Sequence, residues 1–301
     1  MLDIQSFYES DSGTWTHLVA DTADKVAAII DPVWVYDPVS GLADASFIDN
    51  VLEAARQAGY RLEWVLETHA HADHLTAADV LRRETGARIA CGQGIRAVQQ
   101  TFSAVFNMHD TATDGSQFDR LLAEGDVISL GRLEIRVIET PGHTADSITY
   151  LVNDAAFVGD TLFAPAYGTA RCDFPGGDAG QLYDSIARIH ALPDATRIHL
   201  CHDYPPAEKA PRCVVTVKES RRDNIHVGGG ATRAEFVAMR EGRDAKLGLP
   251  RLILPSLQVN ILAGAAPEPD SNGVSYLRTP FNRPLSELTG AAPGHSSGAD
   301  K

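Results

Sequence analysis

The run Thr68-His69-Ala70-His71-Ala72-Asp73-His74 sets three imidazoles and a carboxylate almost side by side, and His143, Asp160 and His202 add further groups of the same kind. Imidazole and carboxylate are the natural ligands of zinc, iron and manganese. Counted from His69, the other ligands of the run fall two, four and five residues on. Those offsets cannot share one helical face, so the run is expected to be a tight loop folded around an ion. Were these ordinary buried polar residues, each would need its own separate partner. The pattern points to a metal enzyme.

Each ligand is expected where a strand ends. Leu62 to Glu67 is a short apolar-rich strand running into His69. Leu133 to Ile138 alternates apolar and polar residues until Thr140-Pro141-Gly142 breaks it before His143. Ser147 to Val152 and Ala155 to Val158 read as a hairpin across Asn153-Asp154, its second arm finishing at Gly159-Asp160. Arg197 to Cys201 delivers His202. Period-two patterning bounded by Gly, Pro, Asn and Asp is the strand signal used here.

Elsewhere, Thr16 to Ala20 and Val26 to Ile30 read as opening strands, followed by a helix over Ala45 to Ala58 that Gly59 stops. Thr76 to Thr85 reads as a helix closed by Gly86, with Arg88 to Ala90 as a strand behind it. Phe102 to Asp126 is a polar and aromatic insertion. Ala179 to Ala191 reads as a helix capped by Asp178, and Arg233 to Lys246 as another. Interleaved helices and hairpins favour a layered α/β sandwich over a purely parallel sheet. Residues 1–287 are expected to form one domain, with a C-terminal extension from about residue 228. A disordered tail rich in Gly, Ala, Pro and Ser is expected over 288–301.

With 301 residues, 44% of them hydrophobic, the chain can bury a substantial core. A formal charge of -14 argues against nucleic acid as a partner. No apolar run approaches membrane-spanning length, and the N-terminus has no secretory pattern, so a cytoplasmic enzyme is expected. Cys91, Cys172, Cys201 and Cys213 lack metal or redox spacing and are expected as free thiols. Gly228-Gly229-Gly230 follows no strand and is not a phosphate loop. His17, His109, His190, His199, His226 and His295 lack ligand spacing and are expected to be structural. A homodimer is the expected assembly.

His-Ala-His-Ala-Asp-His, the later Pro141-Gly142-His143, Gly159-Asp160-Thr161-Leu162-Phe163 and a late histidine together resemble the metallo-β-lactamase fold superfamily. The resemblance covers roughly residues 10–260 and implies a four-layer αββα sandwich with a metal site at one edge of two sheets. It implies one metal position at His69, His71 and His143, a second at Asp73, His74 and His202, and Asp160 as a bridge. Arg171-Cys172-Asp173-Phe174, His202-Asp203-Tyr204 and Thr216-Val217 with Arg221 further resemble the persulfide dioxygenases. Glyoxalase II relatives usually carry Gly-Arg-x-Phe-Glu-Gly and His-Glu-Tyr at these places. The long insertion and the stretch from Leu249 to Gly264 depart from the compact dioxygenase form, as in a longer bacterial subtype.

The dioxygenase resemblance implies one Fe(II) per chain, held by His69, His143 and Asp160. Two imidazoles and a carboxylate on one face leave coordination sites open, as in non-haem iron oxygenases. His71, Asp73, His74 and His202 would then surround the ion and tune it. The implied reaction takes a thiol persulfide such as glutathione persulfide, with O2 and water, to sulfite and thiol. For a glutathione carboxylate the motif match assigns Arg221, with Tyr204 supplying a hydroxyl. Arg171 is a further candidate, although pairing with Asp173 to shape the pocket wall is the favoured reading. The alternative is a hydrolase with two Zn(II) ions per chain, a glyoxalase-II-like thioesterase or a lactonase, using metal-bound hydroxide.

Overall fold

The computed structural model describes residues 1–206 and 208–289. Three antiparallel strands open the chain, β1 (Leu2–Glu9), β2 (Thr14–Asp21) and β3 (Val26–Ile30). A side hairpin follows, β4 (Val33–Asp37) and β5 (Leu42–Asp44), and then helix α1 (Ser46–Gln57). Strand β6 (Arg61–Leu66) lies parallel to β3, and short β7 (Leu75–Thr76) pairs with β4. Next come α2 (Ala78–Thr85), β8 (Arg88–Gly92), α3 (Ile95–Val105) and β9 (Arg120–Leu122). The first sheet has the order β1-β2-β3-β6-β8-β9.

A second sheet is built from β10 (Val127–Leu130), β11 (Leu133–Glu139), β12 (Ile148–Val152), β13 (Ala155–Phe157), β14 (Arg197–His199) and β15 (Val214–Thr216), in that spatial order. Its strands are antiparallel except for β13 and β14, which run parallel. Between those two lies α4 (Ala179–His190), the crossover such a pair requires. Asp178 caps α4 by accepting from the Gln181 amide at 2.7 Å. Helices α5 (Val217–Asp223), α6 (Arg233–Asp244), α7 (Ile253–Asn260) and α8 (Leu285–Leu288) complete the chain.

Successive residues of a strand face opposite ways, and here both faces are covered. Ile29 and Val65 pack towards α1, α2, α3 and α7 with Ile48, Leu81, Phe102 and Leu257. Their neighbours Ile30, Trp64 and Leu66 meet Ile135, Tyr150 and Phe157 of the opposing sheet. On the far side, Ile198 and Val215 pack against Leu182, Ile186 and Phe236 of α4 and α6. This is the αββα sandwich expected. It also explains why β3 reads as an uninterrupted apolar run, since burial on both faces removes any polar alternation.

Several boundaries differ from the sequence expectation. Leu75–Thr76 is strand, so the helix expected from Thr76 starts at Ala78. The insertion begins inside α3, which the apolar positions of residues 95–105 build, contains β9 and ends just before β10. The four cysteines are free, with Cys91, Cys172 and Cys201 buried. Among the described residues no helix is long and apolar enough to cross a membrane. Leu285–Leu288 forms a helical turn, while the rest of the stretch expected to be disordered, residues 290–301, lies outside the described residues.

Candidate metal centre

All seven predicted ligands converge at one edge of the sandwich. The ligand atoms of His69, His143 and Asp160 lie within 4.8 Å of one another, as do those of His71, Asp73 and His74. Asp160 turns its two oxygens to different histidines. Its Oδ2 faces His143 Nε2 at 3.6 Å and His69 Nε2 at 4.0 Å, and its Oδ1 faces His202 Nε2 at 3.2 Å. His202 Nε2 is also 3.3 Å from Asp73 Oδ2.

Two glycines let the ligand strands end where they do. Gly142 has φ of 135°, and a Cβ there would collide with the backbone of Leu182 in α4. Gly159 has φ of 51°, and its Cβ would sit 2.5 Å from Thr68 Oγ1. Both positions combine a left-handed backbone with close approach, which glycine alone tolerates without strain. They place His143 and Asp160 directly after the turn.

Each imidazole is oriented through its other nitrogen. His143 Nδ1 donates to the carbonyl of Arg171 at 2.6 Å, and His69 Nδ1 is 3.0 Å from Thr68 Oγ1. His74 Nδ1 meets the carbonyl of Leu75 at 3.1 Å, and His202 Nδ1 meets Thr14 Oγ1 at 3.2 Å. His71 turns Nε2 to Asp31 Oδ1 at 3.0 Å and to Glu67 Oε2 at 3.6 Å. Such outer contacts fix ring orientation in metal sites.

The buried atoms left without a hydrogen bond test whether the site suits an ion. Among them are His71 Nδ1, Asp73 Oδ2, His74 Nε2, Asp160 Oδ1 and His202 Nε2. Buried polar atoms ordinarily find partners, and the other ring nitrogen of each of the three histidines is already engaged. Close carboxylate–imidazole distances without hydrogen-bond alignment fit groups aimed at a shared ion. The donor set therefore fits a metal, and it holds donors enough for a second.

The charged groups around the centre act on one another at close range. Burial opposes charge on His71, but Asp31 and Glu67 hold its proton and raise it to about 10. Burial would likewise raise Asp31, yet the adjacent His71 brings it down to about 2. Glu67 is pushed up to about 8, chiefly by burial. Against burial, Asp160 and Asp73 raise His202 to about 9. His69 is held well below the usual imidazole range, by burial and then by His71.

Asp31, Glu67, Asp146 and Asn260 escape the sequence reading. Asp31 accepts from the Thr68 amide at 2.8 Å and from Thr68 Oγ1 at 2.9 Å. Asp146 accepts from the Ala70 amide at 2.8 Å. Asp31 had a signal, because it directly follows the apolar run of β3 just as the ligands follow theirs.

The substrate-side candidates divide. Tyr204 lies beside the centre, its half-exposed ring stacked on His202 with centroids 5.9 Å apart. Phe163 meets His202 edge-on at 6.1 Å, and Phe174 lies 6.0 Å from His143. Arg171 is committed to Asp173 through Nε at 2.5 Å and Nη2 at 2.6 Å, and to the Gly248 carbonyl through Nη1 at 2.6 Å. The expected pairing with Asp173 is present, and the Gly248 contact ties residue 248 to it.

Arg221 is not brought to the site. Its guanidinium pairs with Asp194 at 2.5 Å and reaches the His190 carbonyl at 3.3 Å. His190 ends α4, whose opposite end packs on Gly142. Asp194 precedes β14, whose far end leads to His202. His202 lies six residues beyond Thr196, a separation of up to roughly 20 Å along a chain that is strand over Arg197–His199. The motif match assigned Arg221 to a substrate carboxylate, whereas the fold engages its guanidinium with Asp194, at the end of β14 away from His202.

Comparison with known proteins agrees with this architecture. The family model of the Metallo-beta-lactamase superfamily matches residues 15–202. The chain is 47% identical to a probable metallo-hydrolase of Burkholderia pseudomallei (strain 1710b), over 93% of this chain and 99% of that protein. It is also 47% identical to a beta-lactamase hydrolase-like protein of Agrobacterium fabrum, but spans only 64% of that protein's length. The mitochondrial persulfide dioxygenase ETHE1 of Bos taurus is 31% identical over 82% of each chain. The crystal structure of ETHE1 from Myxococcus xanthus superposes with a TM-score of 0.71 at 32% identity, covering 87% of this chain and all of that one. Ligand loops, sheet order and relatives converge: the chain belongs to the metallo-beta-lactamase superfamily.

Proposed function

We propose that this protein is an iron(II) persulfide dioxygenase acting on glutathione persulfide or a similar small persulfide. The observation that carries the reading is the trio of His69, His143 and Asp160, two imidazoles and one carboxylate oxygen within 4.8 Å of one another. The likeness to ETHE1 over the whole length of the Myxococcus xanthus chain supports it. A ferrous ion held there would supply the redox chemistry with O2 that zinc, with a filled d shell, cannot.

The chain's own groups perform the rest. The Arg171 carbonyl holds the His143 ring in place, and Thr68 does the same for His69. His202 Nε2 lies between the two carboxylates, 3.2 Å from Asp160 Oδ1 and 3.3 Å from Asp73 Oδ2. Phe163, Phe174 and Tyr204 lay aromatic surface beside His202 and His143. Such surface suits a sulfur chain and limits water. Stacked on His202, Tyr204 would offer its hydroxyl to the thiol portion.

A second reading, a two-zinc hydrolase, rests on the unpartnered Asp73 Oδ2, His74 Nε2 and His202 Nε2, which could take a second ion. One paired assay separates the two. The protein is purified without oxygen, its metals are counted, and oxygen uptake with glutathione persulfide is recorded beside hydrolysis of lactoyl-glutathione. Oxygen uptake dependent on iron is expected. Two zinc ions per chain with hydrolysis alone would refute the dioxygenase.

A further inference from the structure

We infer that Asn260, at the end of α7 and outside the segment matched by the family model, is a positioning residue that sets how tightly the metal loop holds its ion. The inference rests on the metal centre and not on which reaction it serves. Asn260 is buried, and its amide is fully engaged with the ligand loop. Nδ2 donates to the carbonyl of His71 at 2.7 Å and to that of His74 at 2.8 Å. Oδ1 accepts from the Thr76 amide at 2.8 Å.

These three bonds bracket Asp73. The loop from His71 to His74 has no regular strand or helix of its own, so its backbone groups depend on partners supplied from elsewhere. A primary amide offers two donors and an acceptor on adjacent atoms, which is what two carbonyls and one N–H require. Gly264 closes the same contact, since a Cβ there would lie 3.0 Å from the Thr76 carbonyl. The clamp is itself braced, because Gln99 Nε2 of α3 donates to the Ile261 carbonyl at 2.8 Å. Gln99 Oε1 also accepts from the Gly115 amide at 3.0 Å, so insertion, C-terminal extension and metal loop form one hydrogen-bonded unit. The two parts that lengthen this chain beyond the compact form meet behind the ligands.

If Asn260 only fills space, its loss lowers stability and leaves metal affinity alone. If it positions ligands, metal affinity falls further than stability predicts, since removal of such outer partners typically costs about 10–100-fold in metal affinity. The test uses the full-length protein with Zn(II) as probe and a chromophoric chelator as competitor. Asn260→Ala should weaken zinc binding at least tenfold. Gln258→Ala, on the same helix but bonded to Arg278 at 2.7 Å and 2.9 Å, should destabilise the fold while changing zinc affinity less than twofold. Equal zinc affinities in the two variants would overturn the inference.

Should Asn260→Ala not fold, hydrogen exchange on the wild-type protein decides. Zinc loading should slow exchange of the Thr76 amide and of 253–261 at least tenfold more than that of α6. Uniform slowing, or none at 253–261, would equally overturn it. A protein that proves to be a hydrolase would leave both outcomes unchanged.

Discussion

At the scale of single residues, Asp160 is the group on which the centre turns. One oxygen faces His69 and His143 and the other faces His202. Asp160→Ala should therefore leave less than about a tenth of the bound metal after purification, as counted by elemental analysis, because a three-ligand site loses its only anionic donor. Full metal content in that variant would show that the ion sits elsewhere. Arg221 gives the opposite expectation. Its ion pair with Asp194 is surface-exposed, and such pairs contribute roughly 0–1 kcal/mol. Arg221→Ala should keep KM for the persulfide within about twofold and stability within about 1 kcal/mol. A clear rise in KM would return Arg221 to the substrate site.

At the scale of elements, the centre is made by strand ends and by what the following backbone is able to do. Gly142 shows this most sharply, since the turn it makes lets His143 leave β11 beneath α4. Gly142→Ala combines a disfavoured φ with a backbone collision, and about 2–4 kcal/mol of stability should be lost. Denaturant midpoints would measure this, and a loss below about 0.5 kcal/mol would contradict the stated packing. Ligand strands were legible in the sequence because each is a short apolar-rich run that ends at or just before a ligand, twice across a glycine. Asp31 follows β3 in the same manner and was readable by the same rule. Asn260 was not, because nothing local in Leu257-Gln258-Val259-Asn260 says that its amide meets a loop nearly two hundred residues earlier. Arg221 was misplaced for the reverse reason: a motif fixes order along the chain but not which end of a strand a residue occupies.

At the scale of the whole molecule, two sheets buried on both faces demand that polar groups between them be neutral or paired. His17 and His199 are buried between β2 and β14, with ring centroids 5.4 Å apart, and neither nitrogen of His199 has a hydrogen bond. Burial lowers His17 to about 4, and burial, with His17 beside it, lowers His199 to about 3. In the unfolded chain both titrate near 6.5. Between those values the unfolded state binds more protons, so their contribution is complete above about pH 6.5 and is lost as pH falls towards 4 and 3. His199→Phe, placed against Phe157, should be neutral to stabilising at pH 7. Relative to wild type it should gain about 1 kcal/mol for each pH unit below 6.5. Urea titrations at pH 7, 6 and 5 test the trend, and a pH-independent difference would contradict it. The sandwich itself was legible from alternating runs and interleaved helices, whereas the pairing of these two histidines across strands was not.

The central claim is that His69, His143 and Asp160 together hold one redox-active ion. Anaerobic loading with Fe(II), followed by anomalous diffraction at the iron edge, addresses it directly. A single peak bonded to those three residues, with Asp73 and His74 off the metal, is the predicted result. Two peaks of equal height, the second held by Asp73, His74 and His202, would contradict the account.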